Sequence, residues 1–425
     1  MSLVHLMKKW WLLAGLLISL CSPLCGEDRP NVILIVVDDP GWADLGEEKF
    51  RPDDVSIPHL DALAAGSTRY GNGYVTAPIC NASRLALLTG RYQHRFQTVW
   101  YNGPGLEGSK APTIAEVLRV AGYRTGMVGK VHHGSRDGKE TRNHPLNHGY
   151  ESFFGFMNST AHYLKRGKEF LRPALGPLAM GPWMRDREAV GVQGFSTRIF
   201  GEEALKFIKA DGGKPFFLHL SFNAIHNYTH QLPEDHLRSK SLPAFPDFDP
   251  GKESLAEWRA KLSYPAHPHG RGYYLGQLHF LDVEIGRLMD ALKESGEDSR
   301  TVIFLIGDNG GSLVTYARNS PLKGGKYTLH EGGVRVPFWV RWPGGKDAGA
   351  DDRVVSSLDL FPTIVDLWGT SSGWHGRARL AEGGGGQAAI LGYRIPTGGA
   401  LGEMEVVAHE KKPESRAADH ANSGR

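Results

Sequence analysis

Four oxygen-bearing side chains, Asp38, Asp39, Asp308 and Asn309, occur as two adjacent pairs far apart in the chain. Together they offer three carboxylates and an amide oxygen, with no cysteine or histidine pair beside them at zinc spacing. Hard donors of this kind suit Ca2+ or Mg2+, and a cation would relieve the repulsion between adjacent acids. Each pair also has a plainer reading, because Asp-Pro-Gly and Asp-Asn-Gly are ordinary turn sequences. A second set is basic: Arg84, Lys130, His132, His226 and Lys326. Fixed positive charge around an oxyanion is what sulfuryl or phosphoryl transfer needs, since charge builds on the non-bridging and leaving oxygens. A histidine can protonate the leaving oxygen. Taken alone, any one of these reads as a solvated surface side chain, and for a lone Lys or Arg that reading normally wins.

The elements around these residues decide between the readings. Asn31–Val37 is a continuous β-branched and aliphatic run that reads as a strand buried on both faces, ended by the turn Asp38-Asp39-Pro40-Gly41. Pro58–Ala65 reads as a short helix, a glycine-rich stretch follows to Val75, and residues 84–88 read as helical up to Gly90. Residues 113–121 predict a helix with Gly122 at its C-cap, 125–128 a short strand, and 197–210 an amphipathic helix. Residues 215–222 read as a strand with Asn223 to His230 beyond its end. A long amphipathic helix is expected over 273–294 and a strand over 301–306, ending in Gly307-Asp308-Asn309-Gly310. Residues 334–340 read as a further strand and 360–368 as a helix. This alternation predicts an α/β fold with a large, mostly parallel central sheet flanked by helices. In such sheets ligands gather outside the carboxyl ends of the strands. Asp38-Asp39, His226 and Asp308-Asn309 each follow a predicted strand, which points to one site.

Length and composition are those of a globular protein: 425 residues, 40% hydrophobic and 22% charged, enough for one large domain. A net charge of +3, without long runs of one sign, gives no footprint for nucleic acid, so an acidic substrate needs a local site. Lys8 and Lys9 precede an apolar run from Trp10 to Leu20 and then turn-forming residues, the pattern of a cleaved secretory signal over 1–25. The run is shorter than the roughly 20 residues that span a bilayer, and no membrane span is expected after cleavage. An exported protein, periplasmic or secreted, is the expectation. Cleavage near Gly26 removes Cys21 and Cys25 and leaves Cys80 solitary, an odd thiol in an oxidising compartment that calls for a reason.

The sequence around that thiol, Cys80-Asn81-Ala82-Ser83-Arg84 followed by Leu88-Thr89-Gly90-Arg91, resembles the sulfatase family. Five further motifs follow the family order: the opening strand with Asp38-Asp39; Gly129-Lys130-Val131-His132-His133-Gly134; Asn223-Ala224-Ile225-His226; Asp308-Asn309-Gly310; and Lys326 with Glu331-Gly332-Gly333-Val334-Arg335. The resemblance covers residues 29 to about 368. It implies an alkaline-phosphatase-like fold with a catalytic domain over 28–370, and a maturation enzyme that oxidises Cys80 to Cα-formylglycine. The hydrated aldehyde would attack sulfur beside a Ca2+ ion, with Mg2+ the lesser candidate, and its second hydroxyl would later expel sulfate. Asp38, Asp39, Cys80, Asp308 and Asn309 would then hold the metal. Arg84 and His132 would steady the modified side chain, while Lys130, His226 and Lys326 would hold sulfate oxygens, His226 or Lys326 protonating the leaving oxygen. Lys323 competes for the role of Lys326, and the spacing to Glu331 favours Lys326. The implied substrate is a sulfated glycan or small molecule.

Two departures stand out. Ala82 replaces the family's commoner proline. Against the family's usual C-terminal small subdomain, the expectation here is a missing or altered one: residues 371–425, with four consecutive glycines at 383–386 and a polar end, read as a linker or disordered tail. Two other functions stay open on the same scaffold, a phosphate or phosphonate ester hydrolase and an inactive binding protein. Residues between His133 and Trp183, including His162, Tyr163, Lys165 and Arg166, are expected at the pocket mouth.

Overall fold

A computed structural model describes residues 29–46, 48–134, 141–159, 161–167, 182–210 and 213–369. The expected signal segment (1–25) and the tail (371–425) lie outside the described residues. Twelve strands are present among them: β1 (Asn31–Val37), β2 (Thr68–Tyr74), β3 (Arg124–Lys130), β4 (Ser152–Phe156), β5 (Leu164–Gly167), β6 (Trp183–Arg185), β7 (Glu188–Val190), β8 (Val192–Phe195), β9 (Phe216–Ser221), β10 (Thr301–Gly307), β11 (Phe338–Arg341) and β12 (Gly349–Ser356). Ten form one sheet in the order β12-β2-β11-β10-β1-β9-β3-β4-β6-β7, and β5 pairs with β8 apart from it. The central run β10-β1-β9-β3-β4 is parallel throughout. Antiparallel pairing enters only through β11 on one side and β6 on the other, so the sheet is mixed with a parallel centre.

β1 shows why the chain folds this way. All seven of its side chains are buried, and successive residues point to opposite faces. Ile33, Ile35 and Val37 enter a core with Phe200 and Ala204 of the helix Ser196–Lys209 and Leu278, Leu281 and Ile285 of the helix Gly270–Glu294. Val32, Leu34 and Val36 enter a second core with Leu85 and Leu88 of the helix Cys80–Thr89, Ile114 and Leu118 of the helix Ile114–Val120, and Ile364 of the helix Leu360–Gly369. The sheet is thus the middle of three layers.

Several elements depart from the sequence reading. The glycine-rich stretch ending near Val75 contains β2, because Gly73 lets the strand close on its neighbour: a Cβ there would lie 2.4 Å from Cβ of Phe338. The strand expected over 334–340 is confined to β11 (Phe338–Arg341). Residues Glu331–Val334 form one helical turn, and Pro337 beyond them has no N–H to give to a ladder. The helix expected over 84–88 begins four residues earlier, at Cys80 itself.

Candidate active site

The parallel register delivers the site. Strands β1, β10, β9 and β3 end at the same edge of the sheet, and their next residues are Asp38, Asp308, Phe222 and Val131. Backbone bonds lock the strand tips together: Asp38 N–H donates to Ala224 O at 2.9 Å, and Asp308 N–H donates to Val37 O at 3.0 Å. Cys80 opens its helix beside this edge, and all ten residues of that helix are buried. Helix N-termini present unpaired N–H groups and a partial positive charge, which favours an anionic oxygen at this position. Lys326 arrives on a loop held by two bonds, its own N–H to Gly311 O at 3.1 Å and Tyr327 N–H to Pro78 O at 2.9 Å. Gly310 permits that closure, since a Cβ there would sit 1.9 Å from Gly332 O.

At the centre is a nest of paired charges. Lys130 Nζ donates to Asp38 Oδ2 at 2.6 Å with both side chains fully buried. Arg84 donates through Nε to Asp308 Oδ2 at 2.8 Å and through Nη1 to Ser221 Oγ at 2.6 Å. Lys326 Nζ lies 2.7 Å from each carboxylate oxygen of Asp39. Asn309 Nδ2 donates to Asp39 Oδ1 at 2.7 Å, and Asp39 N–H donates to Asp308 Oδ1 at 3.1 Å. His226 Nε2 stands 3.8 Å from Asp39 Oδ2, and the His132 ring bonds Tyr101 O at 3.2 Å. Lys326, and not the exposed Lys323, carries its ammonium into the nest. The structure brings together all ten residues singled out from the sequence. It adds Ser221 and the Tyr101 carbonyl, whose contributions are contacts that no spacing in the chain announces.

Electrostatics follow from burial. Asp38 is pushed up to about 7, first by desolvation and further by Asp308 and Asp39, with Lys130 and Arg84 opposing. Desolvation acts on Asp308 too, yet Arg84, Lys130 and Lys326 outweigh it and hold this carboxyl below its usual range. Burial works against the charge of Lys326, but Asp39 overcomes it, and the ammonium is held well above its ordinary value. Burial and the neighbouring lysines drive His132 and His226 well below the usual imidazole range, so both rings are neutral before any anion enters. The Cys80 thiol is pushed up to about 12 by burial and stays protonated near neutrality, a poor nucleophile as it stands. Asp39 and His132 also hold left-handed backbone, with φ of 56° and 41°, which for non-glycine residues is uncommon and clusters at functional positions.

The carboxylate and amide oxygens of the nest suit a hard cation, with a thiol and an imidazole beside them. Asp38, Asp39, Cys80 and His226 each place one ligand atom within 4.8 Å of the others. Asp38 Oδ1 and Asn309 Oδ1 are buried acceptors without a hydrogen-bond partner, and such groups are costly unless something satisfies them. Asp308 is not among that closest set, and its oxygens accept from Arg84 and from the Asp39 N–H. Three carboxylates face three permanent cations here. A divalent cation would therefore leave the nest net positive and ready for an anionic ester.

Other residues expected at the mouth divide. Tyr163 is fully buried, its hydroxyl donating to Asn223 O at 2.6 Å, so it supports the His226 loop from beneath. His162 is half-buried, and its Nδ1 accepts from Gln231 Nε2 at 2.6 Å.

Comparison with known proteins places this geometry. The family model described as Sulfatase matches residues 30–370. Arylsulfatase A of Bos taurus is 31% identical over 391 residues, covering 85% of this chain and 68% of the relative. An arylsulfatase of Hemicentrotus pulcherrimus is 30% identical, covering 81% and 59%. N-acetylgalactosamine-6-sulfatase of Sus scrofa is 30% identical, covering 87% and 68%. The chain thus spans about three-fifths to two-thirds of the length of these relatives. Among solved structures, Ps i-CgsB in complex with k-i-k-neocarrahexaose superposes with a TM-score of 0.66 at 29% identity, covering 81% of this chain and 73% of that one. A phosphonate monoester hydrolase of Agrobacterium radiobacter shares the fold, with a TM-score of 0.52 at 22% identity.

Proposed function

Because the chain belongs to the sulfatase family, we propose that it hydrolyses a sulfate ester on a carbohydrate to an alcohol and inorganic sulfate at the Cys80 pocket. One observation carries the reading: three buried carboxylates and three buried basic side chains, from strand tips, a loop and the Cys80 helix itself, meet at the N-terminus of that helix. That the relatives include an N-acetylgalactosamine-6-sulfatase, and a solved neighbour holds a carrageenan-type hexaose, supports a sugar substrate.

In this reading Asp38, Asp39, Asp308, Asn309 and residue 80 hold Ca2+, and a maturation enzyme supplies the oxidation of Cys80 to formylglycine in an exported protein. When bound, these groups supply an activated hydroxyl and a fixed positive charge beside it. The chain's own side chains do the rest. Lys130, Lys326 and His226 present donors to the non-bridging oxygens, fixed in place by buried partners so that no reorganisation is needed as charge grows. Arg84, anchored on Asp308 and Ser221, and His132, anchored on Tyr101 O, fix the side chain of residue 80. The anionic ester also raises the proton affinity of the neutral His226, which then serves as donor to the leaving oxygen, with Lys326 the second candidate.

The test is co-expression with a formylglycine-generating enzyme, mass spectrometry of the residue-80 peptide, and turnover of an aryl sulfate, phosphate and phosphonate with and without chelator. Sulfate turnover that tracks formylglycine content and returns with Ca2+ is expected. A modified, Ca2+-loaded protein that cleaves phosphate or phosphonate esters but no sulfate ester overturns the reading.

A further inference from the structure

Beside the charged nest the surface changes character. Trp100, Tyr101 and Tyr327 are 48%, 41% and 43% exposed, a high value for three large rings in mutual contact. Trp100 lies 5.3 Å from Tyr101 and 6.0 Å from Tyr327 between ring centroids, and Tyr101 lies 5.8 Å from Tyr327. The rings come from two loops that both end in the site. The Tyr101 carbonyl bonds the His132 ring, and Tyr327 follows Lys326, whose Nζ stands 5.4 Å from the Tyr327 centroid. The trio thus borders the nest at His132 and Lys326.

We propose that Trp100, Tyr101 and Tyr327 form the binding platform for the sugar ring that carries the sulfate. The inference rests on the sulfatase reading and adds the recognition of the leaving alcohol. Two features favour a pyranose over a flat aryl group. The three rings are inclined to one another by 48° to 72°, so they offer a faceted surface of faces and edges in place of one plane for a fused aromatic to lie on. Two of the three rings are tyrosines, so the surface carries hydroxyls as well as apolar faces. A puckered ring with C–H groups on its faces and hydroxyls around its rim matches both. Half-exposed aromatic rings in water are uneconomical unless something covers them, and a sugar face does so without requiring full desolvation of its hydroxyls.

Isothermal titration of the full-length Cys80→Ala protein with Ca2+ tests this, using methyl galactopyranoside 6-sulfate, phenyl sulfate and inorganic sulfate as ligands. Trp100→Ala in that background is expected to weaken the sulfated sugar about tenfold, the order of one lost ring contact, and to leave inorganic sulfate unchanged. Trp100→Phe keeps a ring and should restore most of the affinity, and Tyr327→Phe, which removes only a hydroxyl, should cost about two- to threefold. An equal or larger loss for phenyl sulfate overturns the proposal in favour of an aryl subsite, and an equal loss for inorganic sulfate shows damage to the anion pocket and overturns it as well. Sugar affinity indifferent to Trp100, in a protein that binds inorganic sulfate, sinks this inference alone. A Cys80→Ala protein that binds no sulfate, alongside a matured parent that cleaves no sulfate ester, sinks the sulfatase reading with it.

Discussion

His132 and His133 are neighbours in sequence, and Ser221 and His219 lie two residues apart on β9, yet the members of each pair serve different interiors. His132 and Ser221 border the charged nest. His133 and His219 belong to a buried layer behind Arg84 in which His133 packs on His148 at 4.8 Å between centroids, His148 on Tyr150 at 5.4 Å, and Tyr150 Oη shares a hydrogen bond with His219 Nδ1 at 2.8 Å. Both regions are polar and almost inaccessible to water. In the nest, every permanent cation meets a carboxylate at 2.6 to 2.8 Å. In the histidine layer the contacts are rings, a hydroxyl and backbone carbonyls, such as that from His148 Nδ1 to Arg142 O at 2.8 Å. The lesson is that burial alone expels charge, and a protein keeps charge inside only where it supplies the counter-charge on the spot. The nest is built to hold ions. The layer behind it is built to stay neutral.

Four measurements would break or sharpen this contrast, the largest effect first. Cys80→Ala should remove aryl sulfate turnover by at least about a thousandfold while the thermal midpoint stays within a few degrees. Retained turnover would show that the nest acts without residue 80. Next, Arg84→Met strands the buried carboxylate of Asp308 and should cost about 3–5 kcal/mol in urea unfolding under chelation, with Arg84→Met/Asp308→Leu recovering part of that loss. Strict additivity of the two substitutions would show that the pair is not a coupled unit.

A third measurement concerns the cation. At a free Ca2+ concentration one hundred times its Kd, the folded state should gain about 2.7 kcal/mol, read as an upward shift in the urea midpoint that chelator reverses. A midpoint indifferent to Ca2+ would remove the metal from the nest. The fourth concerns protons in the histidine layer. Burial, aided by neighbouring His219 for one and Arg84 for the other, pushes His133 and His219 down to about 3, against an ordinary value of 6.5. The unfolded chain therefore binds more protons than the folded one between these values. The stabilisation is complete above pH 6.5 and drains away as the pH falls toward 3, at about 1.4 kcal/mol per pH unit for each ring. His219→Gln should flatten the stability slope between pH 6 and 5 by about that amount. An unchanged slope would mean that this ring takes up a proton while buried.

Much of the nest was legible because it follows strand tips. Asp38-Asp39 and Asp308-Asn309 each end a run too apolar to be anything but a buried strand, and parallel strands put such ends together. Cys80 was legible by subtraction, as the thiol left when the signal region is set aside. Lys326 was separable from Lys323 only by its spacing to Glu331. What stayed hidden depends on partners that arrive from elsewhere in the chain. β2 reads only as a glycine-rich stretch because Gly71 and Gly73 break its apolar pattern, and the reason for Gly73 is Phe338, more than two hundred residues away. His133, His148 and His219 carry no periodic signal, since ring-on-ring contact has no fixed spacing. Trp100 and Tyr101 look in sequence like ordinary loop aromatics, and only Tyr327 across the pocket gives them a common surface.

The contact between Asp39 and Lys326 joins residues 287 positions apart. Closure over such a distance spends chain entropy before the contact returns anything, and it cannot begin until residue 326 has been made. During synthesis the ribosome has released residue 80 long before it reaches residue 326. Between those moments the thiol has no lid. Any protein that alters residue 80 therefore works against a clock set by the folding of the rest of the chain, and a substitution that hastens folding would shorten the time allowed.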